Sequence, residues 1–498
     1  MKEIGHTIGG RAVDTFIDKS AIYDPSTGLQ VGTVFHGGKD EVDQAVVAAK
    51  DAFESWSRTG MQYRAELLLD VRNILKQRKN ELVEVVMTEA GKTLNDATAE
   101  ITKGIEALSY AAGVTSWSGT NFSRNVSRGI DTCDVRYPVG VIATVSPFNF
   151  PVMVPILQSA MAIACGNTVV AKPSEKVPSA FSMVVQMFEQ AGLPAGVLNI
   201  VNGGREVVES MLQHPDVSGL SFVGSTAVAK RVRIAGVTNN KRIQAFGSGK
   251  NHMVVLPDAN LDFAADAAVS AAYGAAGQRC MAISVIVAVG DIGDSLIEKI
   301  TNRIGNIRMG SAHSDATELG PVISAESKSR VLSLISSAEA EGASLVVDGS
   351  GVGGEGWLVG ATLIDNVKPG MTIYEKEIFG PVLLVVRVDI MEEAISAING
   401  HPMGNGAVIF TRDGGKAKIF CDQVDAGMVG VNVAIPIPPY QHSFGGWKDS
   451  AFTETKLMGP ESLPFLTSIK AVTSRWPDES AGSAVELGFP SSTATLSR

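Results

Sequence analysis

The sequence predicts an α/β protein built around a doubly wound, largely parallel sheet, and three observations support that prediction. Strand-like and helix-like segments alternate along most of the chain, as they do in consecutive βαβ units. Several strand-like segments are continuously apolar, which is typical of parallel strands covered on both faces. The chain has 498 residues, of which 45% are hydrophobic and 19% charged, an ordinary composition for a large globular protein.

The beginning of the chain combines short strands with long helices. Strand-like segments flank a DPSTG turn, and apolar residues then recur at helical spacing from Val42 to Phe53. This spacing predicts a helix after Lys39, and helical patterns continue to about Trp117. The following segment, 121–136, has a mixed β-like composition without a strong period.

A long uncharged stretch runs from Pro138 to Ala171. It exceeds the ~20 residues that a membrane helix needs, but Pro147, Pro151 and Pro155 interrupt it. We therefore predict four soluble elements in order: a buried strand (VGVIATV), a polar turn (SPFNFP), a buried helix (VPILQSAMAIACG) and a second strand (TVVAKP).

The alternation continues to the last part of the chain. Helix and strand patterns follow in PSAFSMVVQMFEQAG, GVLNIVNG, REVVESMLQH, GLSFVGS and TAVAKRVRIAG. A second alternating block runs from about 246 to about 433. The chain ends with one possible strand near 470 and a tail of small residues, which we expect to be disordered or clamped on a neighbouring subunit.

Charge and cysteine content exclude several classes of protein. The net charge of −10 argues against a protein that mainly binds nucleic acid. The cysteines are scattered without a CxxC, and the histidines form no spaced cluster, so we expect neither a disulfide framework nor a metal site. The N-terminus lacks the apolar core of a signal peptide, which favours a cytoplasmic protein without a membrane partner. The cysteines are Cys133, Cys165, Cys280 and Cys421.

Two strand ends are candidate cofactor loops. A buried strand ends at Gly224, and Ser225 stands where a helix N-cap belongs, so an anion there would meet free amides. Lys172 and Glu175 follow another strand, at the edge where open α/β sheets bind ligands. The one formal GxGxxG, at 351–356, precedes a strand-like run instead of a helix, so we interpret it as a loop or hairpin.

Cys280 and Asn149 are the candidate catalytic groups. A cysteine in an apolar segment is usually inert, but Gly277 permits close approach and Arg279 would favour a thiolate. Asn149 lies in the SPFNFP turn, where its amide is either an ordinary turn side chain or a donor to an oxyanion.

These motifs together resemble the NAD(P)-dependent aldehyde dehydrogenase superfamily, from the DPSTG turn to about Trp476. The resemblance implies a Rossmann-type NAD domain, an α/β catalytic domain and a small β arm for oligomerisation. The five motifs occur in the family's order: SPFNFP with Asn149, KPSE with Lys172 and Glu175, FVGST with Ser225, GQRC with Cys280, and EIFGPV with Glu377 and Phe379.

The resemblance also implies residue roles. Cys280 is implied as the nucleophile that forms a thioester, and Asn149 as the oxyanion donor. An aldehyde is the implied substrate, and no metal is implied. The residues implied to bind NAD are Ser146, Phe148, Lys172, Glu175, Lys176, Ser225, Gly247, Glu377 and Phe379.

A departure at one position indicates a subfamily. At the position of Phe246, hydrolytic members carry a glutamate that activates water. Without that glutamate, release of the acyl group from the enzyme requires a nucleophile other than water. The segments GKNH, GQRCMA, VDAGM and FGGWKDS resemble the CoA-acylating methylmalonate-semialdehyde dehydrogenases. That group oxidises methylmalonate or malonate semialdehyde with NAD and CoA and releases carbon dioxide.

Arg279 is the candidate clamp for a substrate carboxylate. The subfamily pairs it with a second arginine, but Lys103 stands at the matching position. Two alternatives remain open: a hydrolytic enzyme that acts on another small anionic aldehyde, and a catalytically silent protein that retains the fold.

The resemblance implies three parts of the chain. The NAD-binding domain is expected to combine 1–120 with 137–245, and the catalytic domain to span 246–433. The arm and tail are expected to combine 121–136 with 466–498. Dimers or tetramers are expected because the arm extends a neighbour's sheet.

Overall fold

The computed structural model describes residues 2–127 and 129–476, so the predicted tail beyond Trp476 lies outside the described residues. Within these ranges the strands are β1 Lys2–Ile4, β2 His6–Ile8, β3 Arg11–Val13, β4 Asp18–Tyr23, β5 Gln30–His36, β6 Phe122–Ser127, β7 Ile130–Pro138, β8 Val141–Val145, β9 Thr168–Lys172, β10 Leu198–Ile200, β11 Val217–Val223, β12 Arg242–Phe246, β13 Asn251–Val255, β14 Ile283–Val289, β15 Ser344–Val347, β16 Thr362–Asp365, β17 Val382–Val388, β18 Met403–Gly404, β19 Gly406–Phe410, β20 Met428–Val431, β21 Trp447–Lys448, β22 Ala451–Phe452 and β23 Thr467–Arg475.

The helices are α1 Lys39–Trp56, α2 Met61–Gln77, α3 Lys79–Ala90, α4 Leu94–Ala112, α5 Val114–Trp117, α6 Met153–Ala164, α7 Ser179–Gln190, α8 Arg205–Gln213, α9 Thr226–Thr238, α10 Leu261–Tyr273, α11 Gly293–Ile304, α12 Ala325–Ala340, α13 Thr372–Glu375, α14 Met391–Gly400, α15 Gly414–Gln423 and α16 Leu463–Leu466. None of these helices combines the length and the apolar character that crossing a bilayer requires.

The first large sheet has the strand order β22-β12-β11-β8-β9-β10-β2-β3. Its central strands β12, β11, β8, β9 and β10 are parallel, and most of their side chains are buried, as in strands covered on both faces. Val145 pairs with both Lys172 and Phe222, so β8, β9 and β11 end at one edge. Ligands of open α/β sheets bind at such an edge, and the candidate cofactor residues lie there.

The second large sheet has the order β15-β16-β17-β14-β13-β19-β20, and all of its strands except β15 run parallel. The α/β fold is therefore confirmed. Strands β13 and β19 are neighbours in this sheet, although about 150 residues separate them. This pairing brings the starts of both strands to the segment that carries Cys280.

A three-stranded antiparallel sheet forms from β23, β7 and β6. The predicted β-like segment 121–136 and the predicted strand near 470 are thus confirmed and paired with each other, Val472 opposite Cys133 and Cys133 opposite Phe122. Large apolar side chains of this sheet lie exposed, including Phe122 at 65%.

The uncharged stretch 138–171 forms β8, a turn, α6 and β9, as its prolines and polar residues predict. Helix α6 is buried along its whole length. Its first turn is capped by Glu100 of α4, whose Oε1 accepts the backbone N–H of Val152 at 2.9 Å and of Met153 at 3.3 Å. The 351–356 segment is a loop, as expected.

Candidate active site

Cys280 follows a tight turn between α10 and β14. Gly277 has φ +68, and a Cβ on it would lie 2.1 Å from the carbonyl oxygen of Gly380. Only glycine fits such a position. Ala275 and Ala276 share this left-handed conformation, with φ 52 each. The turn therefore holds the cysteine close to the segment that carries Glu377, as the sequence predicts for Gly277.

Two asparagine side chains hold the backbone of Cys280. The carbonyl oxygen of Cys280 accepts the Nδ2 group of Asn251 at 3.0 Å and that of Asn405 at 2.9 Å. Asn251 begins β13, and Asn405 immediately precedes β19. The adjacency of these strands in the second sheet explains how both amides reach one atom.

The thiol of Cys280 is protonated at neutral pH in this structure. Burial, together with the nearby charge of Glu377, raises the pKa of Cys280 to about 12. The backbone N–H groups of Cys280 and Met281 and the charge of Arg279 act in the opposite direction and lower this pKa. Arg279 thus acts on this pKa in the direction that the sequence predicts, although burial and the charge of Glu377 outweigh it.

Asn149 lies beside the segment that carries Cys280. Its Nδ2 group donates to the carbonyl oxygen of Gln278 at 3.0 Å, and the residue is buried. One amide N–H is used by this bond, which leaves the second N–H for another acceptor. Gln278 is itself fixed, because its Oε1 accepts the backbone N–H of Ile323 at 3.0 Å.

Arg279 points to helix α4. Its guanidinium donates to Asp96 Oδ1 at 2.5 Å, and the other carboxylate oxygen of Asp96 accepts the backbone N–H of Ala275 at 3.0 Å. Lys103 lies seven residues after Asp96, ~10 Å along the same helix face. It is exposed and pairs with Glu106 at 2.7 Å, so the structure shows no direct contact between Lys103 and Arg279.

The predicted ribose-binding pair forms at the end of β9. Lys172 Nζ donates to Glu175 Oε2 at 2.8 Å. Burial acts to raise the pKa of Glu175, but the charge and hydrogen bond of Lys172, a backbone N–H and the charge of Lys176 together outweigh it, and the net pKa is lowered. Lys176 is more exposed and faces Glu326 at 4.0 Å.

Ser225 precedes α9, and Gly247, which follows β12, lies beside the first residue of that helix. Ser225 occupies the N-cap position, but its side chain makes no bond to the helix amides. A Cβ on Gly247 would lie 2.8 Å from Thr226 Oγ1, so a larger residue does not fit there. The Ser146 hydroxyl turns inward to Gln158 Oε1 at 2.8 Å, which leaves its backbone at the sheet edge.

Glu377 and Phe379 close the other side of the site. Glu377 Oε1 accepts the backbone N–H of Gly249 at 2.9 Å, and burial raises the pKa of this carboxyl. Phe379 packs edge-on against Phe148, with ring centroids 5.7 Å apart.

Lys250 is fully buried and donates to the carbonyl oxygens of Ile373 and Lys376, and burial lowers its pKa to about 7.

Phe246 offers no chemistry at the position of the hydrolytic glutamate. It is 5% exposed, ends β12 and pairs with Ala451 of β22. Its ring lies against Gly445, on which a Cβ would be 2.8 Å from the ring edge. The carboxyl whose charge acts on Cys280 is therefore that of Glu377.

A sequence model of the aldehyde dehydrogenase family matches residues 14–472, which includes every residue of this site. The chain belongs to the aldehyde dehydrogenase family. The resemblance of the five motifs is thus confirmed, and the fold is that of solved aldehyde dehydrogenases.

Similar proteins in the family carry related names. A malonate-semialdehyde dehydrogenase of Pseudomonas aeruginosa is 44% identical over 496 residues, 99% of this chain and 100% of the relative. The crystal structure of a methylmalonate-semialdehyde dehydrogenase from Oceanimonas doudoroffii has a TM-score of 0.95 at 43% identity, covering 96% of this chain and 99% of the other. A Sinorhizobium meliloti protein assigned the same activity, solved with NAD, has a TM-score of 0.94 at 44% identity, with coverage of 96% and 99%.

Three residues of this aldehyde dehydrogenase site escaped the sequence analysis: Asp96, Asn251 and Asn405. Asp96 belongs to a helix that has no motif of its own. Asn251 directly follows the FGSGK segment, and its position as a polar residue next to that motif could have identified it from the sequence. Asn405 lies 125 residues from Cys280, and no sequence spacing relates the two.

Proposed function

We propose that this aldehyde dehydrogenase oxidises malonate or methylmalonate semialdehyde with NAD and transfers the acyl group to CoA, with loss of carbon dioxide. The observation that carries the proposal is a cysteine held beside an asparagine amide while phenylalanine fills the position of the hydrolytic glutamate. The names of the similar proteins support the substrate class, and the NAD complex of one of them supports the cofactor.

The residues present fit a dinucleotide. Lys172 and Glu175 offer a donor and an acceptor at the sheet edge, and the Ser225 hydroxyl is not used as a helix cap. Gly247 fits the tight space beside the first residue of α9, and Lys176 adds a positive charge near Glu175. When bound, NAD supplies the hydride acceptor that the oxidation requires. Ser146, Phe148, Glu377 and Phe379 would contact the cofactor from the remaining sides.

Cys280 performs the covalent chemistry. The Cys280 thiol gives up its proton to solvent, and the sulfur then forms a bond to the aldehyde carbon while the carbonyl π pair moves to oxygen. Asn149 Nδ2 and the Cys280 backbone N–H donate to that oxyanion. Oxidation of this adduct leaves an acyl thioester on Cys280. The CoA thiol then forms the new acyl bond and the Cys280 sulfur leaves, which regenerates the enzyme.

Arg279 is proposed to orient the substrate carboxylate, with Lys103 adding positive charge further along α4. Asp96 uses one guanidinium N–H, and a guanidinium has five. Loss of carbon dioxide fits a carboxylate placed β to a thioester carbonyl, because that carbonyl accepts the electron pair of the broken carbon–carbon bond and a proton then replaces the carboxylate.

The β6–β7–β23 sheet is proposed as the arm that joins subunits into dimers or tetramers. Its exposed apolar side chains support this proposal. The division of the chain into an NAD-binding domain, a catalytic domain and this arm, and a cytoplasmic location, are part of the same proposal.

The proposal is tested by NADH formation from malonate semialdehyde, methylmalonate semialdehyde and propanal, each with and without CoA. We expect sustained turnover of the semialdehydes only with CoA and none in Cys280→Ala. The hydrolytic alternative is favoured by one observation, the Glu377 carboxyl near the thiol. Rapid turnover without CoA that is lost in Glu377→Gln would establish this alternative and overturn the role of CoA.

A further inference from the structure

The carbonyl oxygen of Cys280 is held by two buried side-chain amides from distant parts of the chain. Asn251 is 1% exposed and Asn405 7%. Asn251 Nδ2 also donates to the carbonyl oxygen of Ala282 at 2.9 Å, and Asn405 Nδ2 contacts Met281 Sδ at 3.0 Å. All of these partners are acceptors, so the nitrogen of each amide, and not the oxygen, must face the cysteine segment.

Glycines make room for these amides. A Cβ on Gly249 would lie 2.9 Å from the Cys280 carbonyl oxygen and 3.0 Å from Asn405 Nδ2. A Cβ on Gly406 would lie 2.6 Å from the Met281 side chain and 3.3 Å from Asn251 Oδ1. Larger residues at either position would displace an amide or the nucleophile segment.

The same peptide unit connects these bonds to the sulfur. The Cys280 carbonyl and the Met281 N–H belong to one planar trans peptide and point in opposite directions. The Met281 N–H is one of the two backbone N–H groups that lower the pKa of the Cys280 thiol. Rotation of this peptide away from the amides would therefore also turn the Met281 N–H away from the sulfur.

We propose that Asn251 and Asn405 are positioning residues of Cys280, which fix the peptide between Cys280 and Met281 so that the Met281 N–H faces the sulfur. They touch neither substrate nor cofactor in this proposal, which rests on the proposed function only in taking Cys280 as the nucleophile.

The buried oxygen of the Asn251 side chain is not explained by a role in stability alone. Asn251 Oδ1 is buried without a hydrogen-bond partner among the described residues. A buried polar atom of this kind is destabilising, and an apolar side chain would avoid it. The hydrogen bonds that Asn251 Nδ2 donates are thus the reason for an amide side chain at this position.

The test is the rate of Cys280 alkylation between pH 7 and pH 10 in a Cys133→Ser/Cys421→Ser background. In this range the rate is proportional to the thiolate fraction, because the pKa of Cys280 is about 12. Asn405→Leu and Asn251→Ala should each slow alkylation about three- to tenfold at every pH, the value of one hydrogen bond. Iodoacetamide and a smaller thiosulfonate should slow by the same factor, since a thiolate effect does not depend on probe size.

Asn199→Ser is the matched control, because Asn199 is a fully buried asparagine that donates to the carbonyl oxygens of Val169 and Gly196. It should lower the melting temperature without changing alkylation. Unchanged alkylation in folded Asn405→Leu and Asn251→Ala, or slowing that differs between the two probes, would overturn the proposal. If either variant fails to fold, its serine variant replaces it. Turnover retained in Cys280→Ala would instead overturn the proposed function, so the two failures are distinguishable.

Discussion

At the scale of single residues, two side chains of the site, Arg279 and Cys280, each lie close to a carboxylate. Arg279 would carry a free positive charge toward the substrate, but Asp96 neutralises part of it and ties it to the Ala275 backbone. Burial, together with the charge of Glu377, similarly favours the protonated form of the Cys280 thiol. In the proposed function, substrate binding by Arg279 and the reactivity of Cys280 therefore both depend on how these charges are balanced.

Arg279→Leu should weaken use of carboxylated aldehydes selectively. The variant removes a charge-assisted donor and leaves Asp96 uncompensated, and both changes disfavour an anionic substrate. We expect KM for malonate semialdehyde to rise about 10- to 100-fold, the range of a hydrogen bond to a charged group, while KM for propanal changes little. Steady-state kinetics on both substrates measures this difference.

The control for that experiment is Arg308→Leu, which removes an arginine that pairs with Glu318 outside the site. It should leave both KM values unchanged. An equal loss on propanal and on the semialdehyde in Arg279→Leu would contradict a carboxylate clamp.

At the scale of elements, buried carboxylates cap two helices that flank the cofactor edge. Glu100 caps α6, and its other oxygen pairs with Lys92, which lies over the Phe150 ring of the Asn149 turn. Glu89 caps α7 through the backbone N–H of Ser179 at 3.2 Å. Negative groups at helix N-termini are favourable, but burial makes each charge costly.

Glu89 should make the stability of the protein fall as pH rises. Burial raises its pKa from 4.5 to about 7, so between these values the unfolded chain has released a proton that the folded chain retains. The stabilisation is complete below the unfolded pKa and is lost as pH rises through 7, a change of about 3 kcal/mol. Glu89→Gln should therefore gain melting temperature relative to the wild type between pH 5 and pH 8.

The comparison needs a glutamate in the same helix that is not buried, and Glu84 provides it. Glu84→Gln removes a carboxyl from an exposed position of this helix, so it should not reproduce the gain in melting temperature expected of Glu89→Gln. A constant difference between Glu89→Gln and the wild type would show that the Glu89 carboxyl does not titrate with folding.

At the scale of the whole molecule, the two large sheets are covered by helices, whereas the β6–β7–β23 sheet keeps apolar side chains exposed. Phe122, Cys133 and Val472 lie in one row, and Tyr137 lies on the same face two rows away. An exposed apolar face of this kind favours contact with another protein surface.

If the β6–β7–β23 sheet is the proposed arm between subunits, Phe122→Lys combined with Val472→Lys should lower the mass of the protein in solution, because two charges on the apolar face oppose its burial. Light scattering coupled to size-exclusion chromatography measures the mass. Ser123→Lys with Thr473→Lys, which adds the same charge to the opposite face of the same strands, should keep the native mass. The same mass for all three proteins would exclude this face from the interface.

The sequence by itself determined the elements and the motifs. The strands β8 and β9, helix α6 and the turn of Asn149 follow from apolar runs and prolines that act on near neighbours. The five motifs in order identified the family, and Phe246 indicated an acceptor other than water. Only the tertiary structure decided the contacts of Arg279 with Asp96, 183 residues away, and of Cys280 with Asn405. It also decided the pKa of the Cys280 thiol. That pKa depends on burial and on the distance to Glu377, and both follow from how the sheets and loops pack, which a local sequence pattern does not determine.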